Sequence, residues 1–507
     1  MLRSAIIIFL VNYCAFLFSQ NIHLSRNFEA RKKNIPLEIL NDHASYFYVL
    51  RLNNAVHDIT LERRAKPSAE MIAFTPLKLD SINAGWFDYE ELDHLFFEQD
   101  NKVYFLFEKV LNSKKTIYLK IIDTTGKASG FIELASQERD KTLIDFEYSF
   151  KRTVNNNILI IGSKYGVNGM TRKAATLFDI RLKKSIWTKK LPLEITATEF
   201  SCAFDCNAKN DLFYTKVKSL ITGYESLYKN DVRYTIPILR LDSLWLVKWE
   251  SAIDFPVRKP LETHGMTSLR NASILPNDTA VFFSLQGYRE RNEGDAVEGL
   301  IVNTKLNASN LDEIYSRDNF YTDLLKEQLT FYDSPQKEFY YKEHKLLKSY
   351  RAGASLYTVL ERTEGYYHKE LVFWRTDMDN GEVQSQKIVP RKIFFFKNRT
   401  RFKSMGIVMS TLFKDSLKLL VLENPSNFRK DPDVYNYKEF KKETKLYNSN
   451  LVCYSMKADG HMEKRLVFRN ADFDLVPLHY EGQSQKDVVF YLNNSKYEKF
   501  AILKLYP

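Results

Sequence analysis

Asp377, Asp379 and Glu382 fall close together in LVFWRTDMDNGEVQSQKIV (residues 371–389), a cluster of carboxylates that invites a calcium loop. An EF-hand loop needs oxygen ligands at positions 1, 3 and 5, glycine at 6 and a carboxylate at 12. Counted from Asp377, position 3 is Asp379, but position 5 is Gly381, 6 is Glu382 and 12 is Ile388, so the match fails. Asn380-Gly381 is instead the dipeptide of a type I′ hairpin turn, which takes positive φ at both central residues. DTTG (Asp123–Gly126) and Asp459-Gly460 are expected to do the same work elsewhere.

The remaining chemistry-bearing residues are equally sparse in pattern. Cys202 and Cys206 lie four apart: in an extended strand their sulfurs are too distant to bridge, whereas a turn at DCNAKN would allow a small-loop disulfide. Two thiols without a nearby His or second pair make half a zinc ligand set. The nine histidines show no HExxH, although His94, His264 and His479 fall at or before inner strands and could line a channel. No G-x-S-x-G elbow, Walker A loop or dinucleotide fingerprint occurs. PRKIFFFKNRTRFKSMG (390–406) interleaves Arg391, Lys392, Lys397, Arg399, Arg401 and Lys403 with aromatics, a composition suited to anions. The reading preferred here is a connection with packed Phe394–Phe396 and solvated charges. No residue is therefore assigned to catalysis, to a cofactor or to a metal, and no cofactor is expected.

The elements that would position any site repeat along the chain. An apolar run, a polar turn and a second strand recur at Tyr46–Glu62, Thr116–Leu134, Ala174–Leu191, Ile236–Glu250, Glu298–Tyr315, Leu371–Val389 and Asn450–Phe468, and begin again at Phe500. Two further strands precede each copy after the first: HLFFEQ and KVYFLFEKV the second, LIDFEYSF and NNILIIGSK the third, QLTFYDS and KEFYYKE the sixth. The unit is four antiparallel strands, a to d. The b strands, such as VYFLF and LLVL, are apolar on successive residues, so both their faces must be buried, as between neighbouring blades of a β-propeller. The fold expected is all-β, a single propeller of about seven blades, with six or eight left open. Its ring is closed by the N-terminal strand or hairpin, Tyr46–Glu62, completing the last blade. Partial helical spacing at Asn319–Leu329 and Asp431–Lys445 marks two long connections.

The first residues, MLRSAIIIFLVNYCAFLFSQN, place Arg3 before an apolar run of about fourteen residues (Ala5–Phe18) that ends at Ser19, the pattern of a signal peptide rather than of a membrane span. The division expected is a signal peptide over 1–19, a lead segment over 20–43 and the propeller over 44–507, with no membrane span after cleavage. Three cysteines beyond the signal exclude a disulfide-built scaffold. A net charge of +11 is modest for 507 residues with interspersed Lys and Glu, and a nucleic-acid partner is not expected.

The signal ending FLFSQN, the segments LENPSNFRKDP and NLVCYSMKADGHMEKRLVF, and the final KYEKFAILKLYP resemble exported β-propeller proteins of Bacteroidetes-type bacteria that have no assigned activity, mostly over the last hundred residues. The resemblance implies a periplasmic or secreted protein. The leading expectation is a monomeric, non-enzymatic binding or scaffold propeller of the cell envelope that engages a protein, peptide or glycan. The rival is a propeller hydrolase or lyase acting on polysaccharide.

Overall fold

The computed structural model describes residues 22–504 except 30–33, 54–57, 79–93, 112–113, 139–142, 167–169, 192–194, 197–198, 219–231, 243–246, 258–270, 291–296, 323–324, 326–343, 365–366, 395–407, 414–415, 432–442, 445–448, 470–473, 476–478, 484–486 and 494–495. The expected signal peptide lies outside them. The described residues form eight antiparallel sheets in chain order, so the propeller has eight blades, not seven. Blade 1 is Asn34–Asn41, Tyr46–Asn53, Asp58–Ala65 and Met71–Pro76. Blade 2 spans His94–Glu138, blade 3 Leu143–Lys190, blade 4 Glu199–Val257 and blade 5 Asn271–Phe320; blade 6 spans His344–Val389 and blade 7 Val408–Arg469. Blade 8 combines Asp474–Leu475, Asp487–Asn493 and Tyr497–Lys504 with Ile22–Leu24 from the other end of the chain.

The miscount has a local cause. Asn34–Asn41 (NIPLEILN) is strand a of a complete first blade, but Pro36 and Glu38 interrupt its apolar run. Pro36 is tolerated because the pairing with Tyr46–Asn53 shifts register between Pro36 and Glu38, and a bulge does not need the missing N–H. Tyr46–Asn53 and Asp58–Ala65 are consequently strands b and c of their own blade and do not close the ring. An N-terminal strand does close it, and that strand is Ile22–Leu24, paired with Ala501–Leu503. In blade 6, strands a and b are His344–Ala352 and Ser355–Glu364. The segments QLTFYDS and KEFYYKE lie outside the described residues. Of the two expected helical stretches, Asn319 and Phe320 end a strand and Glu443–Thr444 forms another.

Burial follows the expected order. Strand c of blade 7 is buried at every position, whereas the outer strand of blade 3 is exposed except at Trp187. Apolar clusters fill every interface in turn: Leu61 with Phe105 between blades 1 and 2, Leu119 with Ile160, Leu177 with Tyr214, Phe213 with Phe283, Ile301 with Trp374, Phe373 with Val421, and Leu420 with Phe490 between blades 7 and 8. Phe47 and Phe500, with ring centroids 5.2 Å apart, then join blade 8 to blade 1 and complete the circle.

At that seam the strands themselves interlock. His479–Gln483, leading into blade 8, pairs in parallel with Asn34–Asn41 of blade 1. Between the two sheets, Arg51 donates to both oxygens of Glu498 at 3.1 and 2.9 Å and lies 3.0 Å from Glu62, while Arg64 donates to Glu62 at 2.8 Å. All four side chains are buried, and two guanidinium groups balance two carboxylates. Burial alone would lower the Arg51 pKa, but Glu62 and Glu498 outweigh it and hold the value above its usual range.

Strand alternation sorts the connections. The a–b and c–d turns collect at one end and are mostly short; the b–c and d–a connections collect at the other and include every long one. At the short-turn end, strand c carries Arg63, Arg240, Lys305 or Arg375 at matching positions, and each reaches the c–d turn of the next blade. Arg63 donates to Thr124 O and Arg240 to Ser309 O, each at 2.6 Å; Arg375 donates to Ala458 O, and Lys305 contacts Asp379.

A chain starting at Asn34 should lose roughly 2–4 kcal/mol relative to one starting at Gln20, on the scale of the lost strand hydrogen bonds and the packing of Phe28. Urea unfolding of the two chains measures this. Superimposable curves would mean that residues 22–29 do not close the ring.

Candidate functional site

The Asp377–Glu382 segment is a turn. Asp377 N–H donates to Glu382 O and Gly381 N–H to Asp377 O, both at 2.8 Å; the Asp377 carboxylate accepts from Asp379 N–H and the Asn380 side chain from Glu382 N–H. It is not the expected type I′ turn, because Gly381 (φ +76°) takes the left-handed conformation and Asn380 does not. Four residues separate the closing pair, so one left-handed residue suffices to return the chain. The glycine is also required sterically: a Cβ there would stand 2.6 Å from the Tyr315 ring of blade 5. The turns at Asp123–Lys127 and Lys457–His461 are one residue shorter, with Gly126 and Gly460 in the same role. Among the described residues, no three His, Cys, Asp or Glu side chains are placed to hold a metal.

The other sequence candidates scatter. Cys202 and Cys206 share the extended strand Glu199–Cys206, and Cys206 is a free, buried thiol whose pKa is raised by burial and then by Asp205. His94 opens strand a of blade 2 and His479 lies at the seam; their side chains, and all of His264, lie outside the described residues. In the basic stretch, Arg391 is not solvated but 1% exposed and bonded to Glu361. Lys392–Phe394 pairs with the start of strand c and extends the outer edge of blade 6. Lys397, Arg399, Arg401 and Lys403 lie outside the described residues.

The ring departs furthest from its repeat at the long-connection end of blades 6 and 7. There Glu443–Thr444, from the b–c excursion of blade 7, runs back and pairs in parallel with Lys392–Ile393 of blade 6, making that sheet six-stranded. Beneath this added edge lies a buried polar cluster. His344 begins strand a, Glu361 and Arg362 lie near the end of strand b, Lys369 and Glu370 lie near the start of strand c, and Arg391 follows strand d. All are between 0 and 6% exposed. Arg362 Nε lies 3.2 Å from Glu370 Oε1 and His344 Nε2 3.6 Å from the same atom, while Arg391 Nε donates to Lys369 O at 3.0 Å.

A second buried polar cluster lies on blade 7. Glu423, the last residue of strand b, accepts from Tyr454 Oη at 2.6 Å and pairs with Lys464 at 3.2 Å; Lys464 also donates to Asn427 O at 2.6 Å. The Asn424 side chain caps the short 3₁₀ turn Pro425–Asn427 that starts the excursion. Burial raises the Glu423 pKa against the opposing pull of Lys464 and Tyr454, and it lowers that of Lys464 against Glu423.

Chemically, the blade 6 cluster has the residue types of acid–base catalysis, a histidine and two carboxylates. Each carboxylate, however, faces a guanidinium, and the cluster is closed to solvent, so in this arrangement it holds strands and anchors the added edge. Reading motifs missed these residues. The available signal was the charge pairs Glu361-Arg362 and Lys369-Glu370 inside strands whose neighbours are apolar, since a charge buried on both faces must be paired.

No protein-family model matches the chain, and no curated protein matches it in sequence. Solved structures resemble it at low scores. Drosophila Semaphorin 2a is 9% identical with a TM-score of 0.34 and covers 95% of this chain and 75% of its own. A member of the DUF4221 family from Bacteroides vulgatus is 11% identical with a TM-score of 0.26, covering 67% and 93%. The exo-β-1,3-galactanase of Phanerochaete chrysosporium is 11% identical with a TM-score of 0.28, covering 81% and 91%. The propeller assignment rests on the eight sheets and their cyclic packing. Among the described residues, no helix is long and apolar enough to cross a membrane.

Because its pKa is raised by burial in the folded state, Glu423 holds its proton to higher pH in the folded chain than in the unfolded one. Its contribution to stability is therefore full below the unfolded value, near 4.5, and is lost as pH rises through the folded value. Glu423→Gln should remove that fall. Urea midpoints of both proteins from acid to neutral pH measure the difference, and parallel profiles would contradict the raised value.

Proposed function

We propose that the protein is an exported binding or scaffold propeller of the cell envelope whose ligand face is the long-connection end, centred on blades 6 and 7. The ligand class is protein, peptide or glycan. The observation that carries this reading is the asymmetry of the ring. One end has mostly short turns within the blades and is tied blade to blade by the Arg63, Arg240 and Arg375 bonds. The other carries the long connections and the inserted edge Glu443–Thr444. Rigid frameworks with variable connections at one end are the usual way to present a binding surface. Export is supported by the N-terminal pattern of Arg3 followed by Ala5–Phe18.

A polysaccharide hydrolase or lyase is the second reading, favoured by the presence of His344, Glu361 and Glu370 at that same end. The sealed, guanidinium-paired state of these groups favours the first. The chain starting at Gln20, incubated with a panel of envelope and extracellular polysaccharides and with envelope protein extracts, tests both. Retention of a ligand without new reducing or unsaturated ends is the expected result. Release of such ends by the parent, abolished in Glu370→Gln, would overturn the binding reading in favour of the enzyme.

A further inference from the structure

The rim at the ring closure differs from the rest of the circumference. The outer strands of blades 2 to 7 each contain at least one Lys, Arg, Asp or Glu, the residues that guard an edge strand from association. The outer strand of blade 1, Met71–Pro76 (MIAFTP), contains none, and neither does Ile22–Leu24 (IHL) of blade 8, whose edge carries its one acid farther along at Glu29. They also expose large apolar side chains: Leu24 at 41%, Met71 at 45%, Ile72 at 48% and Phe74 at 46%.

The two strands belong to one surface. Arg26, two residues beyond Leu24, forms a 2.8 Å ion pair with Glu70, the residue before Met71. Thr75 is turned inward, its hydroxyl donating to Gly126 O of blade 2 at 2.9 Å; Phe74 alternates with it and points away from blade 2. Among the described side chains of the other outer strands, the exposed large apolar residues stand singly, as Ile186 on blade 3 and Ile314 on blade 5.

The sequence next to this rim indicates what it meets. The apolar run Ala5–Phe18 is joined to Ile22 through Ser19, Gln20 and Asn21 alone. Four residue steps span no more than about 14 Å at full extension. Before its removal, while that run lies in a bilayer, the apolar rim beside Ile22 is therefore delivered next to the same bilayer. Exposed Met, Ile, Leu and Phe on a surface otherwise bordered by an ion pair is the composition of a protein face that rests in the lipid headgroup boundary.

We infer that the closure rim, comprising Leu24, Met71, Ile72 and Phe74, is a membrane-docking face that keeps the propeller on a lipid surface with its long-connection end free. This goes beyond the ligand reading and shares with it only the N-terminal run. A failure to retain any glycan or protein leaves docking intact, and a failure to dock leaves the ligand face intact.

The test is co-sedimentation of the Gln20–Pro507 chain, which retains all eight sheets, with vesicles of phosphatidylethanolamine and phosphatidylglycerol. The parent is expected to partition to the vesicles, and Ile72→Glu/Phe74→Glu to partition roughly tenfold less, on the scale of removing two apolar side chains from an interface. Ile72→Ser/Phe74→Ser should fall in the same direction without introducing charge. Ile186→Glu/Ile314→Glu, on the outer strands of blades 3 and 5, should bind as the parent does, with all melting temperatures alike. No vesicle-bound parent, or equal losses in the two Glu pairs, would overturn the inference. So would a concentration-dependent dimer of the parent that the Phe74 variants dissociate, because the face would then serve a second copy.

Discussion

The bidentate contact between Arg51 and Glu498 joins residues 447 positions apart and stands where the ring must meet itself. Every other blade is followed in sequence by its neighbour, so its packing is a short-range event. Blades 8 and 1 have only the two ends of the chain to bring them together. The seam accordingly carries more kinds of interaction than the other interfaces described: the Ile22–Leu24 strand on the outside, the parallel Asn34–Asn41 with His479–Gln483 pairing on the inside, and the Arg51, Glu62, Arg64 and Glu498 network between. Fully buried charges are stabilising only when each is paired, and removal of one partner costs about 3–5 kcal/mol. The network therefore punishes a misaligned closure more sharply than an apolar contact would. An open ring would also leave sheet edges free to associate.

With the ring closed, the repeat fixes where variation can occur. Blades are clamped face to face by apolar clusters and at one end by the strand c cations reaching forward to the next turn. Turn glycines such as Gly381 let neighbouring blades approach closely. The opposite end is relieved of that duty and accommodates long connections, the extra edge on blade 6 and the buried clusters of blades 6 and 7. The proposed ligand face and the proposed docking rim are thus both consequences of position within a closed ring, one at its free end and one at its seam.

Much of this was legible in the sequence because a strand buried on both faces must be apolar at successive positions. ILII, AVFF and LLVL announce inner strands without any structural information. Asn34–Asn41 was not legible, since Pro36 and Glu38 break its apolar run, and the blade count suffered for it. Strands a and b of blade 6 were misplaced because QLTFYDS and KEFYYKE alternate as a strand does, while His344–Ala352 carries two lysines and an arginine that obscure its role. The candidate site was the least legible. Its residues come from three strands of blade 6 and from Arg391 beyond the fourth, and sequence proximity joins only Glu361 to Arg362 and Lys369 to Glu370. Arg391 read as a surface cation because its partner, Glu361, lies thirty positions away.

The central claim is that the chain ends meet through a specific buried contact rather than through apolar packing alone. A double-mutant cycle on Arg51→Met and Glu498→Gln, read by urea unfolding, addresses it directly. Coupling of at least about 1.5 kcal/mol is expected for a desolvated bidentate pair in contact. Additive effects, within about 0.5 kcal/mol, would contradict the closure described here.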